Sequence, residues 1–327
     1  MDRRTVLISL LSGFSAAGWA SSTAAGAEVD SEVVRLTGSD GRPFEARFRW
    51  PAGQAGPLPL IVFSHGFGSN MDAFPLTSSA WAAAGYVTAH PTHADSIRPS
   101  PDRTALGARM ASVLRQLAAG DLVGEQRAQF VQMLDDPSHL DGRISDVEAI
   151  LEACRQKQIP ASLNGRIDLG RLGMAGHSYG AYTALALGGA QVTRKDGLRS
   201  FAEPKFSAFL VISGQGPGRM GLDQGSFSKM RKPTLWVTGS KDFGAAGETP
   251  SWRLEPFELS PPGAKYSLVV EGARHTDFDA PPGAEQLGVS LRARETAFWD
   301  AYMRGSSEAR RLLSTAPVTG LTARERV

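Results

Sequence analysis

Arg171-Leu172-Gly173-Met174-Ala175-Gly176-His177-Ser178-Tyr179-Gly180-Ala181-Tyr182-Thr183-Ala184-Leu185-Ala186-Leu187 is the stretch on which the fold turns. Arg171 to Ala175 is a short apolar run that reads as a buried strand, and Ala181 to Leu187 is rich in good helix formers. Between them stands Gly-x-Ser-x-Gly, the spacing of a nucleophile elbow. A tight strand-to-helix turn holds the serine in a strained backbone conformation with its hydroxyl exposed. The glycines two positions to either side let strand and helix pass closely. The helix then begins just behind Ser178, so its first amides can face an anion.

A serine hydroxyl needs a base, and the base needs an orienting carboxylate. In an elbow architecture the chain order is Ser, then Asp or Glu, then His. Only one histidine follows Ser178: His275, in a loop after the apolar run Tyr266 to Val270. For the acid, Asp242 ends Thr238-Gly239-Ser240-Lys241-Asp242, directly after the buried run Thr234 to Val237. Catalytic groups of open α/β sheets gather at such strand ends. Asp223, in the loop after the preceding strand, stays open as the alternative. The expected oxyanion donors are two backbone amides, those of Tyr179 and of Phe67 in Ser64-His65-Gly66-Phe67-Gly68. The side chains of Phe67, Tyr179, Phe243 and Trp252 are the candidate substrate contacts.

Working outward, Val33–Leu36 and Phe44–Trp50 read as strands, the second with period-two alternation. Leu58–Phe63, Tyr86–Ala89, Phe206–Ile212, Pro233–Val237 and Tyr266–Val270 are further strands. Helices are expected at Trp81–Ala84, Ile144–Gln156 and Val289–Met303. Strands alternating with helices imply an α/β fold with a mostly parallel central sheet and helices on both faces. Residues 94–143 interrupt the alternation, with helical patterns at Leu106–Ala119 and Glu125–Leu134. An insertion of this length is either a lid-like element over the site or a helical decoration.

The chain has 327 residues, formal charge +2 and a single cysteine. Arg3-Arg4, a Ser- and Gly-diluted apolar stretch and Ala25-Gly26-Ala27 predict an export signal over 1–27, of twin-arginine type with the Sec route as alternative. The apolar run is too short and diluted for a stable membrane anchor. The expectation is a periplasmic or secreted protein whose mature domain spans 28–327, enough for one large core. Its near-neutral charge gives no electrostatic case for nucleic acid. Cys154 reads as a packing residue. His90-x-x-His93 has no supporting ligands at metal spacing, and there is no phosphate-binding glycine loop, so neither metal nor cofactor is expected. Oligomeric state is not legible.

Taken in order, the segments around Gly66, Ser178, Ser213-Gly214-Gln215-Gly216-Pro217-Gly218, Asp242 and Gly272-Ala273-Arg274-His275 resemble the α/β-hydrolase superfamily. Within it the chain looks similar to the predicted dienelactone hydrolase group, to platelet-activating-factor acetylhydrolases and to chlorophyllases, over roughly residues 44–303. The resemblance implies the α/β-hydrolase fold and a serine hydrolase that cleaves carboxylic esters through an acyl-enzyme. In acetylhydrolase-like relatives the acid can follow the previous strand, which is Asp223 here. True dienelactone hydrolases use a cysteine nucleophile, so Ser178 argues against their lactone chemistry. A small-molecule or oligomeric ester is the expected substrate. A peptidase or acyltransferase on the same triad, or a non-catalytic binding protein, are the alternatives.

Overall fold

The computed structural model describes residues 28–97, 112–113, 116, 123–281, 285–314 and 319–326. The expected export signal, and most of the helix expected over Leu106–Ala119, lie outside the described residues. The strands are β1 (Val29–Thr37), β2 (Pro43–Pro51), β3 (Leu58–Ser64), β4 (Val87–Pro91), β5 (Ile167–His177), β6 (Gln191–Arg194), β7 (Gly197–Ser200), β8 (Phe206–Ile212), β9 (Thr234–Gly239), β10 (Lys265–Val270) and β11 (Leu321–Arg326). The described α-helices are α1 (Pro75–Ala83), α2 (Gly124–Leu134), α3 (Pro137–Gln156), α4 (Tyr179–Leu187), α5 (Glu255–Leu259), α6 (Glu285–Met303) and α7 (Ser307–Ser314).

Nine strands form one sheet in the order β1-β2-β4-β3-β5-β8-β9-β10-β11. From β4 through β10 the neighbours are parallel. β1, β2 and β11 pair antiparallel at the edges. Parallel strands need both faces covered, and β3 is buried at every position. Its alternation sorts the core in two. Leu60 and Val62 pack with Leu140, Val147 and Ile150 of α3 and with α4 on one face. Ile61 and Phe63 pack with Trp81 of α1 and with Leu291, Phe298 and Trp299 of α6 on the other. Period two in the strand thus meets an apolar stripe of period 3.6 in each covering helix.

Chain order reverses at β3, which has β4 on one side and β5 on the other. Open α/β sheets bind ligands at such a reversal, outside the carboxyl ends of the strands. The loops that follow β3, β5, β8, β9 and β10 leave from neighbouring strand ends, and they carry Phe67, Ser178, Ser213, Asp242 and His275 respectively.

Candidate active site

Ser178 stands between β5 and α4 with φ 56° and ψ −116°, a conformation that costs a non-glycine residue free energy. Close packing holds it there. A Cβ on Gly176 would lie 2.1 Å from the Gly180 carbonyl oxygen, and one on Gly180 would lie 1.9 Å from that of Ser64. No side chain fits either position. The Ser178 amide donates to the carbonyl of Ile212 at the end of β8 (2.9 Å), tying the elbow to the next strand.

The three side chains singled out in sequence meet. Ser178 Oγ lies 2.8 Å from His275 Nε2, and His275 Nδ1 lies 2.9 Å from Asp242 Oδ1. Asp242 is fully buried and also accepts from Thr238 Oγ1 at 3.0 Å. With Nδ1–H given to the carboxylate, Nε2 is left as an acceptor facing the serine hydroxyl. Burial alone would raise the Asp242 pKa. The Arg253 guanidinium, His275 and the Ser213 hydroxyl outweigh it and hold the carboxyl well below the usual range. Asp223 is elsewhere, on an exposed turn, where its side chain accepts from the Ser226 amide and caps the short helix Gln224–Lys229.

Two backbone donors stand beside the serine. Neither the Phe67 nor the Tyr179 amide has a hydrogen-bond acceptor among the described residues. The β3 loop passes close to the serine: a Cβ on Gly66 would lie 3.5 Å from Ser178 Cβ. Tyr179 opens α4, so its N–H is one of the orphan donors of a helix start.

A cavity of about 500 Å³ lies over Ser178 and His275. Phe67, Phe74, Phe130, Leu134, Phe243 and Trp252 supply its apolar wall, and Phe243 remains 57% exposed at the rim. Phe67, Phe243 and Trp252, three of the four candidate substrate contacts, thus line the cavity that holds Ser178. The Tyr179 ring is a correction. It is only 2% exposed, does not line the cavity, and packs at 5.7 Å from Phe67 and 5.5 Å from Tyr182. Phe130 and Leu134 belong to α2, so the 94–143 insertion contributes directly to the cavity wall.

No family model matches this chain, and no curated protein matches it.

Among the neighbours of the candidate triad, Ser213 and His177 stand in the motif segments themselves, whereas Arg253 lies outside them. Arg253, in the short helix Pro250–Leu254, is 4% exposed and places Nε 2.8 Å from Asp242 Oδ1. Its other nitrogens donate to the carbonyls of Ser213, Gly214 and Phe243. Ser213 Oγ lies 2.7 Å from His275 Nδ1. His177 Nε2 donates to the His275 carbonyl at 2.7 Å, and burial, followed by the nearby His275, pushes its pKa down to about 3. It is thus a neutral strut for the base loop. Among the described residues no group of three or more His, Cys, Asp or Glu side chains is placed to hold a metal ion. No described helix is long and apolar enough to cross a membrane.

Proposed function

We propose that this chain is a serine ester hydrolase of the α/β-hydrolase fold. The observation that carries the reading is the continuous relay Ser178 Oγ–His275 Nε2 and Nδ1–Asp242 Oδ1, at 2.8 and 2.9 Å, at the floor of an apolar cavity, with the Phe67 and Tyr179 amides unengaged among the described residues. His275 takes the proton as Oγ attacks the ester carbonyl. Asp242 keeps the imidazole in the useful tautomer and stabilises its charged form. The amides of Phe67 and Tyr179 receive the oxyanion of the tetrahedral intermediate. His275 then protonates the leaving alcohol. In the second half it activates water, which releases the acid and restores Ser178.

The aromatic wall favours an uncharged ester with an apolar or aromatic portion, presented as a small molecule or as the end of an oligomer. Arg3-Arg4 and Ala25-Gly26-Ala27 support export of the mature domain to the periplasm or medium. The decisive experiment combines covalent labelling by a fluorophosphonate, mapped by peptide mass, with turnover on p-nitrophenyl esters and on peptide anilides. Labelling at Ser178 with ester turnover is expected. Anilide turnover exceeding ester turnover would make it a peptidase, and ester products formed with an added alcohol in place of free acid would make it an acyltransferase. A folded protein that neither labels nor turns over would be a binding protein of this fold.

A further inference from the structure

Behind the candidate oxyanion loop lies a second buried polar array that the relay does not use. Its centre is Arg143 of α3, 1% exposed. Nη1 donates to the His65 carbonyl at 2.5 Å and to Ser64 Oγ at 3.0 Å. Nε and Nη2 donate to Asp95 Oδ2 at 3.1 and 2.7 Å. The guanidinium also lies 4.8 Å from the centre of the Tyr179 ring, within cation–π range. One side chain therefore touches the residues on both sides of the oxyanion site: the loop that presents the Phe67 amide and the residue that presents the other.

The array continues through two histidines behind it. Ser64 Oγ lies 2.8 Å from His93 Nε2, and His93 Nδ1 lies 2.8 Å from Asp146 Oδ2. The His93 amide donates to His65 Nε2 at 3.0 Å, which leaves the His65 Nδ1 proton for the Gly66 carbonyl at 2.7 Å. That contact matters geometrically. The Gly66 carbonyl and the Phe67 N–H belong to one planar peptide unit and point in opposite directions. Fixing the carbonyl fixes the direction of the N–H. Arg143 holds the preceding peptide by its carbonyl, so two consecutive planes are pinned from the side away from the cavity.

We propose that Arg143 is a positioning residue that sets the separation and aim of the two oxyanion donors; the proposal rests on the ester-hydrolase reading above. A planar guanidinium can serve His65, Ser64 and Asp95 at once while lying against a ring, whereas a lysine ammonium is a point donor and cannot. Small displacements of oxyanion donors are costly because their benefit is realised in the transition state, which places the effect in kcat and leaves KM little changed.

The test compares wild type, Arg143→Met and Arg143→Lys. It measures kcat and KM on p-nitrophenyl acetate, the inhibition constant of an aryl trifluoromethyl ketone, whose hemiketal oxyanion occupies the same site, and the thermal midpoint. Arg143→Met should lower kcat about 10²-fold with KM within roughly threefold, and should weaken the ketone by a similar factor. Arg143→Lys keeps a charge beside Asp95 and so guards against failure to fold; it should lower kcat about tenfold with a parallel loss of ketone affinity. Folded Arg143→Lys with wild-type kcat and ketone affinity overturns the proposal. So does a loss confined to KM or to thermal stability. A wild type that neither labels at Ser178 nor turns over esters overturns the hydrolase reading itself, and is told apart by that labelling.

Discussion

Arg253 Nε and His275 Nδ1 share one oxygen of Asp242, at 2.8 and 2.9 Å. The acid of the candidate triad is therefore half of a buried ion pair as well as the partner of the base. Breaking such a pair from one side leaves a buried charge uncompensated, which costs about 3–5 kcal/mol. Arg253→Met should lower stability by about that amount in urea unfolding. It should also raise the Asp242 pKa. The sign follows from the depressed folded value: the carboxylate's contribution is complete above the usual carboxyl range and is lost only as pH falls well below it. In the variant the carboxylate takes up its proton at higher pH, so the acid-side fall in unfolding free energy should set in at higher pH. Superimposable acid limbs in the two proteins would contradict this.

Asp242→Asn should leave the fold intact and lower ester turnover on the order of 10⁴-fold, because the imidazole loses its oriented tautomer. Asp223→Asn keeps a side-chain oxygen that can accept from the Ser226 amide, so it should leave both kcat, within about twofold, and stability nearly unchanged. Steady-state kinetics on the two variants decide between the acids, and the opposite ranking would move the acid to the loop after β8.

Phe243 and Leu134 should govern acyl-chain preference. Both line the cavity, and neither is fully buried, so truncation tests binding more than folding. Each contributes about 1–2 kcal/mol of apolar contact to a ligand long enough to reach it. Phe243→Ala and Leu134→Ala should each reduce kcat/KM on p-nitrophenyl octanoate roughly tenfold while acetate changes less than about twofold. A flat profile from acetate to octanoate would show that the ester chain runs elsewhere.

Glu295 on α6 offers a test remote from the site. It is 1% exposed, and its Oε2 has no partner among the described residues. Burial, helped by Asp279 and opposed by Arg292, pushes its pKa up to about 8 from 4.5. Between those values the folded protein keeps a proton that the unfolded chain has released. Stability therefore falls as pH rises through that window, by up to about 1.4 kcal/mol per unit. Glu295→Gln stays neutral and lacks this slope. Its thermal midpoint relative to wild type should climb steadily from pH 5 to pH 8, and a pH-independent difference would refute the assignment.

The sheet and the relay were readable because local pattern and global role agree there. The β3 run is apolar at most positions since both faces of the sheet are covered, and Gly176 and Gly180 mark a crossing too close for any Cβ. Other elements lacked that agreement. β11 reads Leu-Thr-Ala-Arg-Glu-Arg, an edge strand whose exposed side is charged, so its pairing with β10 leaves almost no apolar trace. The β6–β7 hairpin does carry a signal, Asp196-Gly197 at its turn, that a hairpin reading could have used. Helix α3 begins seven residues before the expected Ile144, where Asp136 caps it and Pro137 takes the first turn. Arg253 and Arg143 could not be found by pattern. A buried arginine looks like any surface arginine until the fold brings its partners from distant segments.

The Gly180 crossing ties the nucleophile's turn to the β3 backbone with no side chain between them. Neither strand end can loosen without the other, and both are continuous with the most buried strands of the sheet. The turn that carries the proposed nucleophile thus has no route to disorder separate from β3. On heating, loss of turnover should track loss of the sheet itself, so that residual activity and far-ultraviolet ellipticity trace a single curve, unlike enzymes whose sites soften well before the scaffold gives way.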